Sequence, residues 1–408
     1  MLNIQGQPRA IAHLQRVLGS GRLASTWIFF GPPGVGKFST ALALAKTCLC
    51  ENPQQRANGA GTKKSLAGLS DDFQLTLACG HCDSCNAVEF SAHPDLHVVS
   101  RNLIRYHDRG GKSKGTTLSI NVIRGEITGD DSPEHRVEPK LYHRPIRGRG
   151  KWFIIDEADL MELPAQNALL KALEEPPLNS YIVMITRSPG ELLGTIRSRS
   201  QIVEFRPLPA AVLAAQLKQR GVDESRARLL ARLTDGSLGH ALAWLQDPGG
   251  KHEDEDQADG EKEEFSGPAI FQWIQRLSGA MDNLLLGRSG GMTAAQIVQS
   301  CAEQYAKIIL RHDPLSSKDR AVRDGAIVML GFISEWFDDR LRYALGAQIE
   351  ASLPSGTQAL KPEIVDRCMN ACRRAQAELD RNAHVGLLLA ATATDWEQAM
   401  QHLEPLTI

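Results

Sequence analysis

The feature that most constrains this chain is an alternation of short, mainly apolar runs with longer helical patterns over its first 210 residues. Runs of this length and composition are typical of buried strands, and the stretches between them have helical periodicity. Strands that alternate with helices predict an α/β domain built on an open, mostly parallel sheet. The predicted strands are residues 27–30, 95–99, 152–155, 181–185 and 202–205.

Beyond about residue 209 the strand pattern stops, and amphipathic helices are predicted for most of the remaining chain. Residues 235–239 read as a turn between two of these helices. Residues 248–267 are mainly polar, with eight Asp and Glu against two Lys, a composition typical of a disordered linker. The predicted domains are an α/β domain over 1–208, a small helical domain over 209–247, the linker over 248–267 and an all-α domain over 268–408.

Composition excludes several classes of protein. Lys and Arg number 46 against 48 Asp and Glu, which gives a formal net charge of −2 and argues against a surface that is basic throughout. No apolar run reaches the roughly 18 residues that a membrane helix needs, and the N-terminus lacks a secretory signal pattern. The eight cysteines do not form the disulfide framework of a small secreted domain. We therefore expect a cytoplasmic protein with no membrane partner.

A phosphate-binding loop is predicted directly after the first strand. Its residues are Gly31, Pro32, Pro33, Gly34, Val35, Gly36 and Lys37, and a helical pattern follows at once. Glycines in such a Walker A loop let backbone N–H groups surround phosphates at a helix N-terminus, while the lysine reaches the β- and γ-phosphates.

The residue after this lysine departs from the Walker A pattern. A Ser or Thr hydroxyl normally binds Mg²⁺ there, whereas this chain has Phe38, with Ser39 one residue later. One residue along a helix rotates a side chain by about 100°, so Ser39 should not reach the same ligand position. We expect ATP to bind while Mg²⁺-assisted hydrolysis is weakened.

Acidic residues follow the third predicted strand. Asp156 and Glu157 come directly after residues 152–155, which is the usual Walker B arrangement. In that arrangement the Asp holds the metal and the Glu polarises the attacking water. Helix-capping acids are the alternative, and the phosphate loop favours a nucleotide site.

Cys79, Cys82 and Cys85 form two overlapping C-x-x-C steps. Thiolates at this spacing are typical of a structural zinc site, and a redox C-x-x-C pair is the alternative. His81 lies inside the motif and is a weaker candidate ligand.

The stretch 154–205 contains a helix over 165–175 that ends in Glu-Glu-Pro-Pro, followed by Ser198, Arg199 and Ser200. These motifs closely resemble the AAA+ subunits of the bacterial DNA polymerase III clamp loader, and the resemblance covers about residues 1–245. It implies a RecA-like AAA+ domain with an inserted zinc module, a small helical lid and a C-terminal oligomerisation domain.

The resemblance also implies roles for single residues. Arg199 matches the arginine finger that acts in trans on the ATP of a neighbouring subunit; an ordinary surface arginine is the alternative. Thr186 matches the sensor-1 region, although Arg187 is atypical there, and residues 4–7 resemble the segment beside the adenine. The family completes its zinc site with an upstream cysteine, for which Cys50 is the first candidate and Cys48 the second.

Two departures indicate which kind of subunit this is. Phe38 replaces the magnesium-binding hydroxyl, and Gly239 stands where the hydrolysing subunit has a sensor-2 arginine. Both resemble the family's rigid, finger-donating subunit. That subunit works in a replisome hetero-pentamer with gamma/tau and delta subunits, which opens a sliding clamp and loads it onto primed DNA. The alternatives are a gamma/tau-type ATPase and an AAA+ scaffold of another DNA-repair assembly.

Three polar stretches look inserted into the α/β domain, at 51–78, 105–117 and 128–150. They are either solvated loops or contacts to phosphates or a partner. The same two alternatives, a solvated lysine or a contact to a phosphate backbone, apply to Lys171 on the helix 165–175.

Overall fold

The computed structural model describes residues 6–57, 74–107, 117–129, 139–246, 269–312, 317–346, 360–381 and 383–401. Its contacts divide the chain into two compact units. One is Met1–Gln216 with Asp235–His240, and the other is Leu217–Thr234 with Ala241–Ile408. The four-part division predicted from sequence remains a prediction, and its linker 248–267 lies outside the described residues.

The first unit contains a parallel sheet of five strands in the order β4-β5-β6-β1-β7. All five strands predicted from the apolar runs are present in this sheet, so the predicted parallel α/β architecture is confirmed. Two further strands, β2 and β3, form a separate antiparallel pair. The strands are β1 Thr26–Phe30, β2 Gln54–Ala57, β3 Gln74–Leu77, β4 Leu96–Val99, β5 Lys151–Ile155, β6 Ser180–Thr186 and β7 Gln201–Glu204.

Helices connect the strands, and nearly all described residues of the second unit are helical. A π-helical turn, Arg124–Thr128, directly follows α5. The helices are α1 Pro8–Ser20, α2 Lys37–Leu49, α3 Asp83–Glu89, α4 Ile104–His107, α5 Ile120–Ile123, α6 Leu163–Glu174, α7 Gly194–Ser198, α8 Ala210–Lys218, α9 Glu224–Leu233, α10 Leu238–Gln246, α11 Ala269–Leu285, α12 Gly291–His312, α13 Lys318–Ala344, α14 Pro362–Asp380 and α15 Val385–Gln401.

The prediction of loops over 51–78 is wrong at both ends of that stretch. Gln54 pairs with Leu77 and Ala57 with Gln74 in the antiparallel β2–β3 ladder. Main-chain hydrogen bonds make this ladder. In the sequence β3, Gln-Leu-Thr-Leu, does alternate polar and apolar residues, whereas β2, Gln-Gln-Arg-Ala, does not, and the polar composition of the whole stretch favours a loop. Residues 58–73 of this stretch, like 108–116 and 130–138 of the other two, lie outside the described part of the chain.

Burial of the central strands explains why the apolar runs predict the sheet so well. Trp27, Ile28 and Phe29 of β1 have no exposed surface, and all five residues of β5 are buried. Strands of a parallel sheet are covered by helices on both faces, which demands continuous apolar runs. The carboxyl ends of β1, β5 and β6 therefore meet at one edge, where ligands bind in open α/β sheets.

The second unit is helical, and a charged cluster holds two of its helices together. Arg232 on α9 forms ion pairs with three carboxylates of α13, those of Glu335, Asp338 and Asp339. The guanidinium therefore fixes α9 against α13 within this unit. Among the helices that the structure describes, none is long and apolar enough to cross a membrane.

Candidate nucleotide and metal sites

The predicted phosphate loop connects β1 to α2 and depends on its glycines. Gly31, Gly34 and Gly36 have φ values of 142°, 72° and 100°, in the left-handed region that favours glycine. A Cβ atom on Gly31 would lie 2.0 Å from the carbonyl oxygen of Phe205. The loop conformation therefore requires glycine for both backbone geometry and space.

Lys37 begins α2, and its side chain turns back onto the loop. The residue is only 6% exposed, and Nζ donates to the carbonyl oxygens of Gly31 and Pro32 at 2.6 Å each. Burial lowers the pKa of Lys37 to about 8, although the nearby Asp156 carboxylate opposes this. Because an ammonium group has three N–H donors, one donor of Lys37 remains for a ligand.

Phe38 and Ser39 are both exposed in the first turn of α2. The next hydroxyl, that of Thr40, is buried and donates to the carbonyl oxygen of Gly36 at 2.7 Å. The position at which Walker A loops place their metal-binding hydroxyl is thus occupied by an aromatic ring that cannot coordinate Mg²⁺.

The acidic turn, residues 156–159, follows β5. Burial raises the pKa of Asp156, whose Oδ1 accepts the backbone N–H of Glu157 at 3.0 Å. Glu157 has a φ of 52° and pairs with Arg101, with 2.9 Å between Oε2 and Nε. A role for Glu157 as a base would therefore require it to leave Arg101.

Thr186 and Gln7 hold the phosphate loop from two sides. Thr186 is buried, its hydroxyl donates to the carbonyl oxygen of Ser188, and its own carbonyl accepts the N–H of Gly31 at 3.3 Å. Gln7 Nε2 donates to the carbonyl oxygen of Val35 at 3.2 Å. The first part of the predicted segment 4–7 lies outside the described residues, but Gln7 does contact the loop.

Gly239 approaches the phosphate loop at the level of its backbone. Its N–H donates to the carbonyl oxygen of Gly34 at 2.9 Å, and a Cβ atom on Gly239 would lie 2.8 Å from the Gly34 Cα. A side chain at position 239 is incompatible with this approach. Position 239, where the sequence lacks the sensor-2 arginine, thus makes a backbone contact that only glycine permits.

Arg199 follows α7 and is held by two contacts. One guanidinium nitrogen donates to the carbonyl oxygen of Thr195 at 3.1 Å, and another lies 2.9 Å from Oε1 of Glu174. Its side chain is 37% exposed, so it is accessible to a partner. Glu174 belongs to the helix end that was noticed in the sequence, but its pairing with Arg199 was not predicted.

The four cysteines Cys50, Cys79, Cys82 and Cys85 meet in one cluster. Their sulfur atoms all lie within 4.8 Å of one another, and the Cys50–Cys82 and Cys79–Cys85 pairs are 4.0 Å apart. A tetrahedral zinc ion with bonds of about 2.3 Å would place its thiolates about 3.8 Å apart. The cluster therefore has the donor set and the spacing to bind a metal ion.

Backbone N–H groups donate to these sulfurs and lower the thiol pKa of Cys79 and Cys82, whereas burial raises that of Cys50 and Cys85. Cys79 N donates to Cys50 Sγ at 3.2 Å, and the His81 N–H lowers the pKa of the Cys79 thiol to about 6. Cys48 instead packs against the hydrophobic core, where burial raises its pKa to about 12. The structure thus brings Cys50, not Cys48, to the other three cysteines; His81 is exposed and outside the cluster.

A buried network of hydrogen bonds connects the cysteine module, which is the segment that carries the four clustered cysteines, to the sheet. His93 Nε2 lies 2.7 Å from the Ser84 hydroxyl, which donates to the carbonyl oxygen of Leu49. Asp95 has no exposed surface, and its two carboxylate oxygens accept the N–H groups of Ile146 and Arg147 at 2.7 and 2.8 Å.

Two arginines of the inserted stretch 128–150 also bind the module. Arg147 pairs with the Glu51 carboxylate at 2.9 Å, and Arg149 donates to the Glu51 carbonyl oxygen at 2.6 Å. Lys151 is buried in β5 and donates to the carbonyl oxygen of Lys140. These basic side chains therefore have partners within the fold, a third possibility that the sequence did not suggest.

We expect Asp95→Asn to lower the free energy of unfolding of the first unit by about 1.5–3 kcal/mol. The amide keeps one acceptor oxygen and turns an N–H donor towards the second backbone N–H, so one charge-assisted bond is lost. Urea unfolding followed by circular dichroism measures the change. The control Asp83→Asn alters an exposed residue of the same module and should cost well under about 1 kcal/mol; equal effects of both variants would contradict the expectation.

Comparisons with known proteins show the family to which the chain belongs. The model of the family described as "DNA polymerase III, delta subunit" matches residues 6–209, half of the chain. The delta' subunit of Bacillus subtilis is 30% identical over 229 residues, which cover 56% of each chain. The delta' subunit of Escherichia coli K12 is 32% identical over 216 residues, 52% of each chain.

A gamma/tau subunit is also similar. That of Mycobacterium tuberculosis H37Rv is 30% identical over 248 residues, 59% of this chain and 36% of that protein. The matched region thus spans about half the length of the delta' relatives and about a third of the gamma/tau relative. The chain belongs to the DNA polymerase III delta-subunit family.

Proposed function

We propose that this chain is the delta-prime-type subunit of a bacterial DNA polymerase III clamp loader, a subunit that donates an arginine finger and does not itself hydrolyse ATP. It would assist the ATP-driven loading of a sliding clamp onto primed DNA. The observation that carries this choice is the contact of Gly239 with Gly34, which leaves no room for a sensor-2 arginine. Phe38, in place of the magnesium-binding hydroxyl, supports the same choice.

The proposal assigns the trans-acting role to Arg199. Its partial exposure and its position after α7 support this role, because an arginine that inserts into a neighbouring site must be accessible. The Glu174 carboxylate would hold the guanidinium until a neighbour's γ-phosphate replaces it. A developing charge on that phosphate attracts arginine strongly in a site without water.

We also propose that the four-cysteine cluster holds a structural zinc ion. Four thiolates with tetrahedral spacing and no open position are the ligand set of structural zinc rather than of catalytic zinc. The ion would join the end of α2 to α3, and thereby stabilise the module on which Glu51 and Ser84 lie.

The partners in this proposal are gamma/tau and delta subunits, a sliding clamp and primed DNA in the cytoplasm. Lys171 is exposed on α6 and lines a cavity of about 460 Å³ together with Arg124 and Tyr142. An exposed lysine is a type of residue that contacts phosphate backbones, so Lys171 supports DNA as a partner.

A gamma/tau-type ATPase is the second candidate, favoured by the complete glycine loop with Lys37 and by Asp156 and Glu157. Turnover measurements separate the two. We expect the isolated chain to show no steady magnesium-dependent ATP hydrolysis, and to raise the turnover of a gamma-type partner when the two are mixed. Hydrolysis by the isolated chain that Lys37→Ala abolishes would instead identify it as a motor.

A further inference from the structure

The backbone of a second basic residue, Arg187, lies at the edge of the sheet that carries the phosphate loop. Arg187 directly follows β6, which pairs in parallel with β1, so it lies at the edge of the sheet where the loop begins. The backbone N–H of Arg187 donates to Oδ1 of Asp159 at 3.2 Å, and the preceding carbonyl accepts from Gly31. The backbone at Arg187 is therefore fixed between the phosphate loop and the acidic turn.

The charges around Lys37 are of both signs, because Asp156 and Asp159 raise its pKa whereas Arg187 lowers it. The side chain of Arg187 is exposed, and its guanidinium makes no ion pair with a described residue. After burial, this charge is one reason why the pKa of Lys37 is lowered. Desolvation, together with the charges of Arg187 and Lys37, also lowers the pKa of His240. A phosphate bound at the loop would be an anionic partner for Lys37 and for the exposed Arg187, in addition to the carboxylates of the acidic turn.

The donors available here suit vicinal phosphates. Lys37 uses two of its three N–H donors on loop carbonyls, and Arg187 has a planar fork of five that matches phosphate oxygens. In other phosphate loops Mg²⁺ bridges the β- and γ-oxygens and neutralises their charge. Here Phe38 removes a ligand for that ion, so neutralisation requires another cation.

We propose that Arg187 is a phosphate-binding residue of this loop and that, with Lys37, it holds the vicinal phosphates of a nucleoside di- or triphosphate without a divalent cation. This inference rests on the phosphate loop of the proposed function, but it is independent of Arg199. Nucleotide bound in this way would remain unhydrolysed, because no metal and no metal-activated water take part.

Calorimetric titration of the full chain tests the proposal, with ADP, ATP and inorganic pyrophosphate as ligands, each in EDTA and again in excess Mg²⁺. We expect the Kd for ADP to differ less than threefold between the two conditions. Arg187→Ala should weaken binding at least tenfold, and Arg187→Lys should restore part of it. Arg197→Ala, which removes an exposed arginine of α7, serves as the matched control and should leave the Kd unchanged.

The proposal would be overturned by no binding by wild type, by binding that requires Mg²⁺, or by wild-type affinity in Arg187→Ala. Thermal unfolding of each variant checks that the fold is kept, and because Arg187 is exposed we expect equal midpoints. Binding of ADP but not pyrophosphate would assign the affinity to the base and ribose, which also contradicts the proposal. Stimulation of a gamma-type partner is measured in parallel. If nucleotide binding fails while stimulation remains, only the proposal for Arg187 fails and the role of Arg199 is kept.

Discussion

Arg199→Ala should lower the ATP turnover of a reconstituted complex with a gamma-type partner by about 10³-fold at the site that this chain completes. The guanidinium is the group that would stabilise charge on the γ-phosphate in the transition state. Its loss should therefore reduce kcat and leave ATP binding by the partner nearly unchanged. If several equivalent sites turn over at once, single-turnover measurements isolate the affected one.

Two matched variants sharpen this experiment. Arg197→Ala removes an arginine two residues away on α7 and should keep full turnover. Glu174→Gln removes the ion-pair partner that lies 2.9 Å from Arg199, so the guanidinium is released and turnover should be kept or increased. Equal turnover in wild type and Arg199→Ala would rule out the finger, and equal losses in both arginine variants would indicate a general surface effect.

Loss of the metal site should be the largest change in stability. We expect one zinc ion per chain in the wild type and none in Cys82→Ser, with unfolding of the module at a much lower temperature. Structural zinc contributes on the order of 10 kcal/mol in small zinc-finger peptides, and even a fraction of that would dominate a module attached by a few hydrogen bonds. A chelator should have the same effect on the wild type.

Cys48→Ala provides the matched control for the metal. Cys48 lies two residues before Cys50 but packs against the core, so this variant should keep its zinc and lose only some packing energy. Metal analysis and thermal unfolding measure both outcomes. Full zinc content in Cys82→Ser, or its loss in Cys48→Ala but not in Cys50→Ser, would contradict the assignment of the cluster.

The strands and the phosphate loop were predictable because their causes are local. Five apolar runs correspond to the five strands of the parallel sheet, since burial on both faces leaves no place for polar residues. The loop glycines have positive φ, a backbone conformation that favours glycine, so the glycines in the sequence predict the loop. The β2–β3 ladder was missed because β2 has no apolar alternation and the short alternation of β3 lies in a stretch that is polar as a whole.

Contacts between distant parts of the chain could not be predicted in this way. Asp95 accepts from Arg147, 52 residues later, and nothing in either local sequence indicates the other. The sequence marks Arg187 only as an atypical residue. Its position at the phosphate loop follows from the parallel pairing of β6 with β1. The ion pair of Arg199 with Glu174 likewise depends on how α6 and α7 approach each other.

By itself, the sequence determined the parallel α/β class, the glycine loop without a hydroxyl after its lysine, and three of the four cysteines of the candidate metal cluster. The tertiary structure decided between Cys50 and Cys48, brought Gly239 against Gly34, and placed Arg187 at the edge of the sheet that carries the phosphate loop. The physical reason is that periodicity and glycine positions record the burial and backbone conformation of each residue. The packing of the finished helices and strands decides which distant atoms come within bonding distance. A local sequence pattern does not contain that information.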